Sequence, residues 1–294
     1  MIQIEESPLE TWGVMFAFIG IIAFMIAGAF CKCEICMQGF KEPSQPTSLG
    51  DNIKAQEKLF EMEIAPSDFL IIRLDGHALS KFSKICFEKY DETFSKMMLE
   101  TTKELHKIMQ FNLAFTQSDE ITLVCFPTYP CHLFNGRSQK LSSLIASYAS
   151  VIFNRLCNEL DNEKLKKFIK VKEVVFDARV FALEEKKEVA EMLNWRYIDA
   201  RRNGISRLCE ISFPNKSNKS YKNVTTGERF KLLQEKKILK PFNLETEEKY
   251  EINDEMNCKY THLLNGTFFT CKNKKLETFN LHRPTLAKLE ELIF

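Results

Sequence analysis

Two acidic clusters stand where short apolar runs end. Asp75 and Gly76 close the run Phe69-Leu-Ile-Ile-Arg-Leu. Ser118-Asp119-Glu120 interrupts a second run that extends from Asn112 to Cys125. A carboxylate at the end of one strand and another at the turn of a neighbouring hairpin can share two divalent cations. Such a pair can activate a hydroxyl for in-line attack on a phosphate. Asp-Gly alone is also ordinary turn chemistry. The strand, helix and hairpin arranged around these residues therefore carry more weight than either short motif.

Other side chains have spacings suited to anions. Arg137 and Lys140, in Phe134-Asn-Gly-Arg-Ser-Gln-Lys140, open an apolar helical pattern and share a helix face. The start of a helix already favours anions. Asp177 and Arg179 alternate with Phe176, Ala178 and Val180, so they lie on the polar side of a strand. Asp199, Arg202, Asn203 and Ser206 fall at helical spacing and make one polar face. Lys164, Lys166, Lys167, Lys170 and Lys172 crowd a connection. They suit phosphate contacts, although a solvated loop accounts for them as well.

The elements that position these residues follow from periodicity. Leu70–Leu74 reads as a buried strand broken only by Arg73. A helix follows with Phe94, Met97, Met98, Leu105, Ile108 and Met109 on one stripe. Strands are expected at about 112–118 and 120–126. A second helix has Leu141, Leu144, Ile145, Tyr148, Val151, Ile152 and Leu156 on its apolar face. The strand 174–181 completes β-α-β-β-α-β, the ferredoxin-like split unit. Residues 185–213 read as helix, and Thr225-x-x-Glu228 is a capping box opening another. Thr267–Thr270 reads as a strand, followed by a final amphipathic helix.

Residues 12–31 are uncharged and strongly apolar. At about 1.5 Å per residue they span roughly 30 Å, the hydrocarbon thickness of a bilayer. Acidic residues precede this stretch, and Lys32 and Lys41 follow it. A single-pass anchor with residues 32–294 in the cytosol is therefore expected. An acidic leader argues against a cleaved signal. The domain plan is a tail over 1–11, an anchor over 12–31, a linker over 32–48, a globular domain over 49–240 and its C-terminal extension over 241–294. Cys31, Cys33 and Cys36 lack an evident fourth zinc ligand; acylation beside a membrane is the other reading. The remaining cysteines sit singly on apolar runs, as reduced thiols do. The sequons at Asn215, Asn218, Asn223 and Asn265 are then chance matches. A net charge of +1 neither supports nor excludes a nucleic-acid partner.

Six segments, taken in order, resemble the tRNA(His) guanylyltransferase superfamily. They are 49–60, Ile72-Arg-Leu-Asp-Gly76, Tyr90-Asp-Glu92, Gln117-Ser-Asp-Glu120, Phe176-Asp-Ala-Arg179 and Trp195–Ser206. The resemblance implies an α+β polymerase-palm core, a βαββαβ unit with additional helices, behind one N-terminal transmembrane helix. It implies a nucleotidyltransferase that adds nucleotides to RNA in the 3′-to-5′ direction. Asp75, Asp119 and the Gly76 carbonyl would hold two Mg²⁺, with Glu120 beside them. Ser118, Arg137, Lys140 and Arg179 would bind the triphosphate of GTP or ATP. Asp199, Arg202, Asn203 and Ser206 would face the nucleotide or the RNA 5′ end.

The segment Arg201-Arg-Asn-Gly-Ile-Ser-Arg207 is similar to the branch that repairs truncated tRNA 5′ ends on a template. Addition of one G to histidine tRNA is the alternative. A membrane-anchored RNA-binding protein with weak or no catalysis is the alternative of another class. Lys89, Ser80, Leu79 and Gly204 depart from the family pattern. The partners implied are tRNA or tRNA-like RNA, nucleoside triphosphates and a membrane, with homo-oligomerisation left open.

Overall fold

A computed structural model describes residues 48–79, 82, 92–128, 132–213, 224–236, 238, 263–272, 275–281 and 284–293. The expected anchor, the three clustered cysteines, Ser80, Lys89 and the sequons at Asn215, Asn218 and Asn223 lie outside the described residues. Among the described residues, no helix is long and apolar enough to cross a membrane. The chain divides into Met1–Phe60 and Glu61–Phe294. In the first unit, helix α1 spans Leu49–Lys58, and its N-cap Ser48 accepts from the Asp51 amide.

The second unit is built on β1 (Phe69–Gly76), α2 (Glu92–Met109), β2 (Leu113–Gln117), β3 (Glu120–Cys125), α3 (Ser138–Glu159), α4 (Glu163–Val171) and β4 (Phe176–Leu183). There follow α5 (Lys186–Ser212), α6 (Thr226–Glu235), β5 (Thr267–Lys272), β6 (Lys275–Phe279) and α7 (Leu286–Glu290). The sheet order is β4-β1-β3-β2-β5-β6, and every pairing is antiparallel. Its first four strands have the order and connections of the split βαβ unit. β5 extends the sheet through β2, so residues beyond 263 share its core.

Strand parity decides what each face does. Leu70, Ile72 and Leu74 of β1 pack with Met98 and Leu105 of α2 and with Leu141 and Ile145 of α3. Phe69 and Ile71 turn the other way, onto Val189, Ala190 and Leu193 of α5. In α3 the buried stripe is Leu141, Ile145, Ala149, Ile152, Phe153 and Cys157. Tyr148 and Val151, expected on the apolar face, are exposed. The small Ala149 and the large Phe153 shift the stripe by one residue, because α3 settles where Phe153 meets Phe82, Phe94 and Phe176.

The lysine-rich connection is instead a helix. The Asn162 side chain accepts from the Leu165 amide and caps α4, and Leu165 is buried. Two capping boxes fix later helices. Glu185 and Glu188 reciprocate at α5, and Thr225 and Glu228 at α6, as Thr225-x-x-Glu228 predicts. The final helix is short, with five residues. Cys125, Cys209 and Cys271 are not joined in disulfides.

Candidate active site

The register of the sheet assembles a row of acids. Asp75 lies directly opposite Asp177 on one side and Glu120 on the other. Glu120 in turn faces Gln117. Directly opposed residues of antiparallel strands share a face, so this row lies on the α5 side. One step inward, Arg73 lies opposite Arg179 and Thr122. Rows further in, around Ile71 and Phe69, are apolar and covered by the first turns of α5. The face thus changes from hydrophobic to charged along its length.

The β2–β3 hairpin reaches over the end of β1. Its two-residue turn is Ser118-Asp119, with Ser118 at φ 54°. A positive φ at the first central position matches the twist of the flanking strands. The Asp119 carbonyl accepts from the Gly76 amide at 3.1 Å, and the carboxylates of Asp119 and Asp75 act on each other. Asp75 is held above the usual carboxylate range by partial burial, then by Asp119 and Asp177, against the pull of Arg73 and Arg179.

Neighbouring acids have different fates. Glu120 is bound by the Arg73 guanidinium at 3.3 Å and by Arg196. Arg196 also lies 3.6 Å from Asp199. Burial lowers the Arg196 pKa, as does Arg73, while Asp199 and Asp75 oppose this. Trp195, about half exposed, lies under both cations, 5.9 Å from Arg73 and 4.7 Å from Arg196. Among the described residues, neither Asp75 nor Asp119 has an ion pair. They are acids without a direct ion partner, although Arg73 and Arg179 act on the Asp75 carboxylate through space.

That donor set suits Mg²⁺, which takes oxygen ligands and is often held by one or two carboxylates plus substrate phosphates. Among the described residues no group of three or more potential metal-ligating side chains occurs. A cation here would therefore rest on Asp75 and Asp119, with backbone or substrate oxygens completing its shell. The Gly76 position is tight: a Cβ there would lie 1.9 Å from Leu79. Leu79 is buried against the glycine, so the strand end and the following turn close together.

The remaining expected residues fall in two places. Arg179 is exposed on the same face as Asp75, 3.9 Å from Asp177. Asp199 joins the charged row through Arg196 and also accepts from Arg202 at 2.5 Å and Asn203 at 3.4 Å. Ser206 accepts from Arg229 of α6 at 2.6 Å, which ties two helices together. Arg137 and Lys140 lie elsewhere. Arg137 stands at the N-cap position of α3 without a side-chain capping bond, 3.7 Å from Glu61, and Lys140 lies over Phe134 at 5.1 Å. Gly136 is hydrogen-bonded to Ile64, at the end of the sheet where β1 enters. Asp75 is at the end where β1 leaves, so these two basic residues do not join the acid row within the chain.

Sequence reasoning missed the roles of Arg73 and Arg196. Arg73 reads only as a break in an apolar run, yet its spacing of two from Asp75 puts both on one face. Gly204, a departure from the family pattern, has a packing cause. A Cβ there would lie 2.2 Å from the Leu263 carbonyl oxygen. The Asn265 sequon is partly buried, with its carbonyl near Tyr197 and Arg201.

Residues 50–184 match the family model described as tRNAHis guanylyltransferase. The uncharacterized protein R259 of Acanthamoeba polyphaga mimivirus is 34% identical over 185 residues, covering 56% of this chain and 63% of that protein. The tRNA(His) guanylyltransferase of Saccharomyces cerevisiae is 30% identical over 149 residues, covering 48% of this chain and 60% of the yeast protein. The chain thus spans about three fifths of the length of these curated relatives. A bacterial tRNA(His) guanylyltransferase-like protein solved with ATP superposes with a TM-score of 0.63 at 22% identity, covering 84% of this chain and 99% of that one. The yeast enzyme structure gives 0.56 at 22% identity, covering 80% and 98%. The matched stretch contains Asp75, Asp119, Glu120 and Arg179, and over residues 50–184 the chain is similar to the tRNA(His) guanylyltransferase family.

Proposed function

We propose that this protein is a nucleotidyltransferase that adds nucleotides to the 5′ end of tRNA or a tRNA-like RNA, in the 3′-to-5′ direction. The observation that carries the reading is the pair Asp75 and Asp119, which lack a direct ion pair among the described residues while the neighbouring Glu120 is held by Arg73 and Arg196. Asp75, Asp119 and the Gly76 carbonyl would hold two Mg²⁺. Bound there, these ions would lower the pKa of the incoming nucleotide's 3′-hydroxyl and neutralise triphosphate charge. Glu120 positions Arg73 and Arg196, which keeps two guanidiniums beside the acids. Arg179 projects from the same face and is placed to contact a phosphate. Asp199 fixes Arg196 and Arg202 at the mouth of the row. Arg137 and Lys140 are read as triphosphate contacts by resemblance, and ATP and GTP as substrates on the same ground.

Within that chemistry we favour template-dependent repair, on the segment Arg201–Arg207. Full-length protein is incubated with labelled nucleotides, Mg²⁺ and tRNAs either intact or lacking 5′ nucleotides. A truncated tRNA should gain the nucleotide complementary to the base opposite, and extension should stop when the acceptor stem is paired. Addition of G alone, only to histidine tRNA and regardless of the opposing base, would instead assign single guanylylation.

Residues 12–31 are read as a single-pass tether that leaves the catalytic unit in the cytosol. The tether should hold the full chain in the membrane fraction through an alkaline carbonate wash. Glycosylation at Asn265 would place the domain on the lumenal side and overturn this orientation.

A further inference from the structure

The exposed lysines of α4 are not used by the site described above. α4 is amphipathic and firmly held. Leu165 is fully buried, and the Phe168 ring packs edge-on against Phe82 at 5.1 Å. The opposite side carries Lys164, Lys167 and Lys170, with Lys172 just beyond the helix, all exposed. Residues 163–173 hold five lysines and two glutamates, in a chain whose net charge is +1. Lys166 is occupied by Asp161 at 2.9 Å and Glu163 at 3.9 Å. Among the described residues, the other four lysines have no ion pair. Positive charge is therefore concentrated and unneutralised on one rigid surface.

α4 packs on the other face of the sheet from the acid row, and a short connection joins its end to the strand end that carries Asp177. Asn154 of α3 receives the Val174 amide at 3.0 Å and donates to its carbonyl at 2.7 Å. The Phe176 amide donates to Ser150, and the Val175 carbonyl accepts from His77, which follows Gly76. The segment between α4 and β4 is thus pinned on both sides. Lys172 is five residues before Asp177, a reach of at most about 18 Å. We propose that Lys164, Lys167, Lys170 and Lys172 form a track for the phosphate backbone of the RNA whose 5′ end enters the acid row. The proposal rests on the reading of the chain as an RNA 5′-end enzyme. Phosphate contacts of this kind set register and affinity without reading sequence. An anionic lipid surface shares the charge, but it offers no reason for the lysines to abut the strand that carries Asp177 and Arg179.

The test uses the full chain and a fluorescent tRNA transcript lacking its 5′ nucleotide. Binding is measured against salt for the wild type, for K164Q K167Q K170Q K172Q and for the corresponding four Lys→Arg changes. The glutamine variant should bind about tenfold or more weakly near 0.15 M salt. Its log–log salt slope should be shallower by about 3 to 4, close to one per lost contact. The arginine variant should restore both, and turnover at saturating RNA should be unchanged in all three. Should the quadruple change disturb folding, as read by circular dichroism, K164Q K167Q alone should give about half the change in slope. Unchanged affinity and slope in the glutamine variants would overturn the proposal. So would failure of arginine to restore binding, or a glutamine effect confined to phosphatidylserine vesicles. A wild type that binds RNA through these lysines yet adds no nucleotide would leave the track standing and remove the catalytic reading.

Discussion

The two faces of β1 differ more than their sequence neighbours suggest. Leu70, Ile72 and Leu74 are sealed against α2 and α3, with exposures of 1%, 0% and 0%. Phe69 and Ile71 are sealed in the same way on the opposite face, but Arg73 and Asp75 on that face are not. One strand therefore serves stability along one whole face and gathers charge at the end of the other. The difference lies in α5. Its first turns bring Val189, Ala190 and Leu193 to the sheet, and its next turn brings Trp195, Arg196 and Asp199. Where the covering helix changes from apolar to charged, a packed core becomes a site.

The sharpest way to break this contrast is to alter the charged end alone. Asp75→Ala and Asp119→Ala should each reduce nucleotide addition by about a thousandfold or more, because a two-metal clamp supplies several kcal/mol of transition-state stabilisation. Circular dichroism and the cooperativity of melting should be unchanged. On the sealed face the balance reverses. Leu74→Ala, one residue from Asp75, should cost about 2 to 5 kcal/mol of stability in denaturant titration. Activity per folded molecule should remain within a few-fold of wild type.

Smaller effects test how the charged end is held. Glu120→Gln removes the counter-charge shared by Arg73 and Arg196. Arg196 is buried but Glu120 and Arg73 are partly exposed, so the stability cost should be about 2 kcal/mol, below that of a fully buried pair. Gly204→Ser should cost about 1 to 3 kcal/mol, because the new Cβ meets the Leu263 carbonyl.

The smallest effect has the most telling sign. The carboxyl of Asp75 titrates above its ordinary range when the protein is folded, so the folded state holds that proton more tightly than the unfolded one. Stability therefore declines as pH rises from the ordinary aspartate value through the raised one. Above that window Asp75 is ionised and opposes folding. Asp75→Asn should then melt slightly higher than the wild type at neutral pH in the absence of metal. The difference should vanish below the ordinary carboxylate pKa. A lower melting temperature for Asp75→Asn at neutral pH would show that the acid is stabilising.

Much of this was legible before any coordinates. The alternation in 174–181 and the apolar runs around Asp75 and Asp119 define strands, because a period of two has one structural meaning there. The split βαββαβ order follows from those strands and the two helical stripes. The α3 face was misjudged by one position, since Tyr148 and Val151 fit an apolar stripe as well as Ala149 and Phe153 do. Only packing against Phe82, Phe94 and Phe176 separates the two. Residues 163–171 were obscured by their lysines, although Asn162 is an ordinary helix cap. The Arg73–Glu120–Arg196 cluster joins three elements far apart in sequence, so no local spacing announces it. The placement of Arg137 at the far end of the sheet also depends on tertiary contacts, those with Glu61 and Ile64.

The central claim is that Asp75 and Asp119, which lack a direct ion pair among the described residues, together hold metal. Mn²⁺ binding in the presence of ATP, followed by the loss of free-ion electron paramagnetic resonance signal, addresses it most directly. Wild-type protein should take up two ions per chain, whereas Asp75→Asn Asp119→Asn, equally folded, should lose that uptake. Equal uptake by the two proteins would contradict the account.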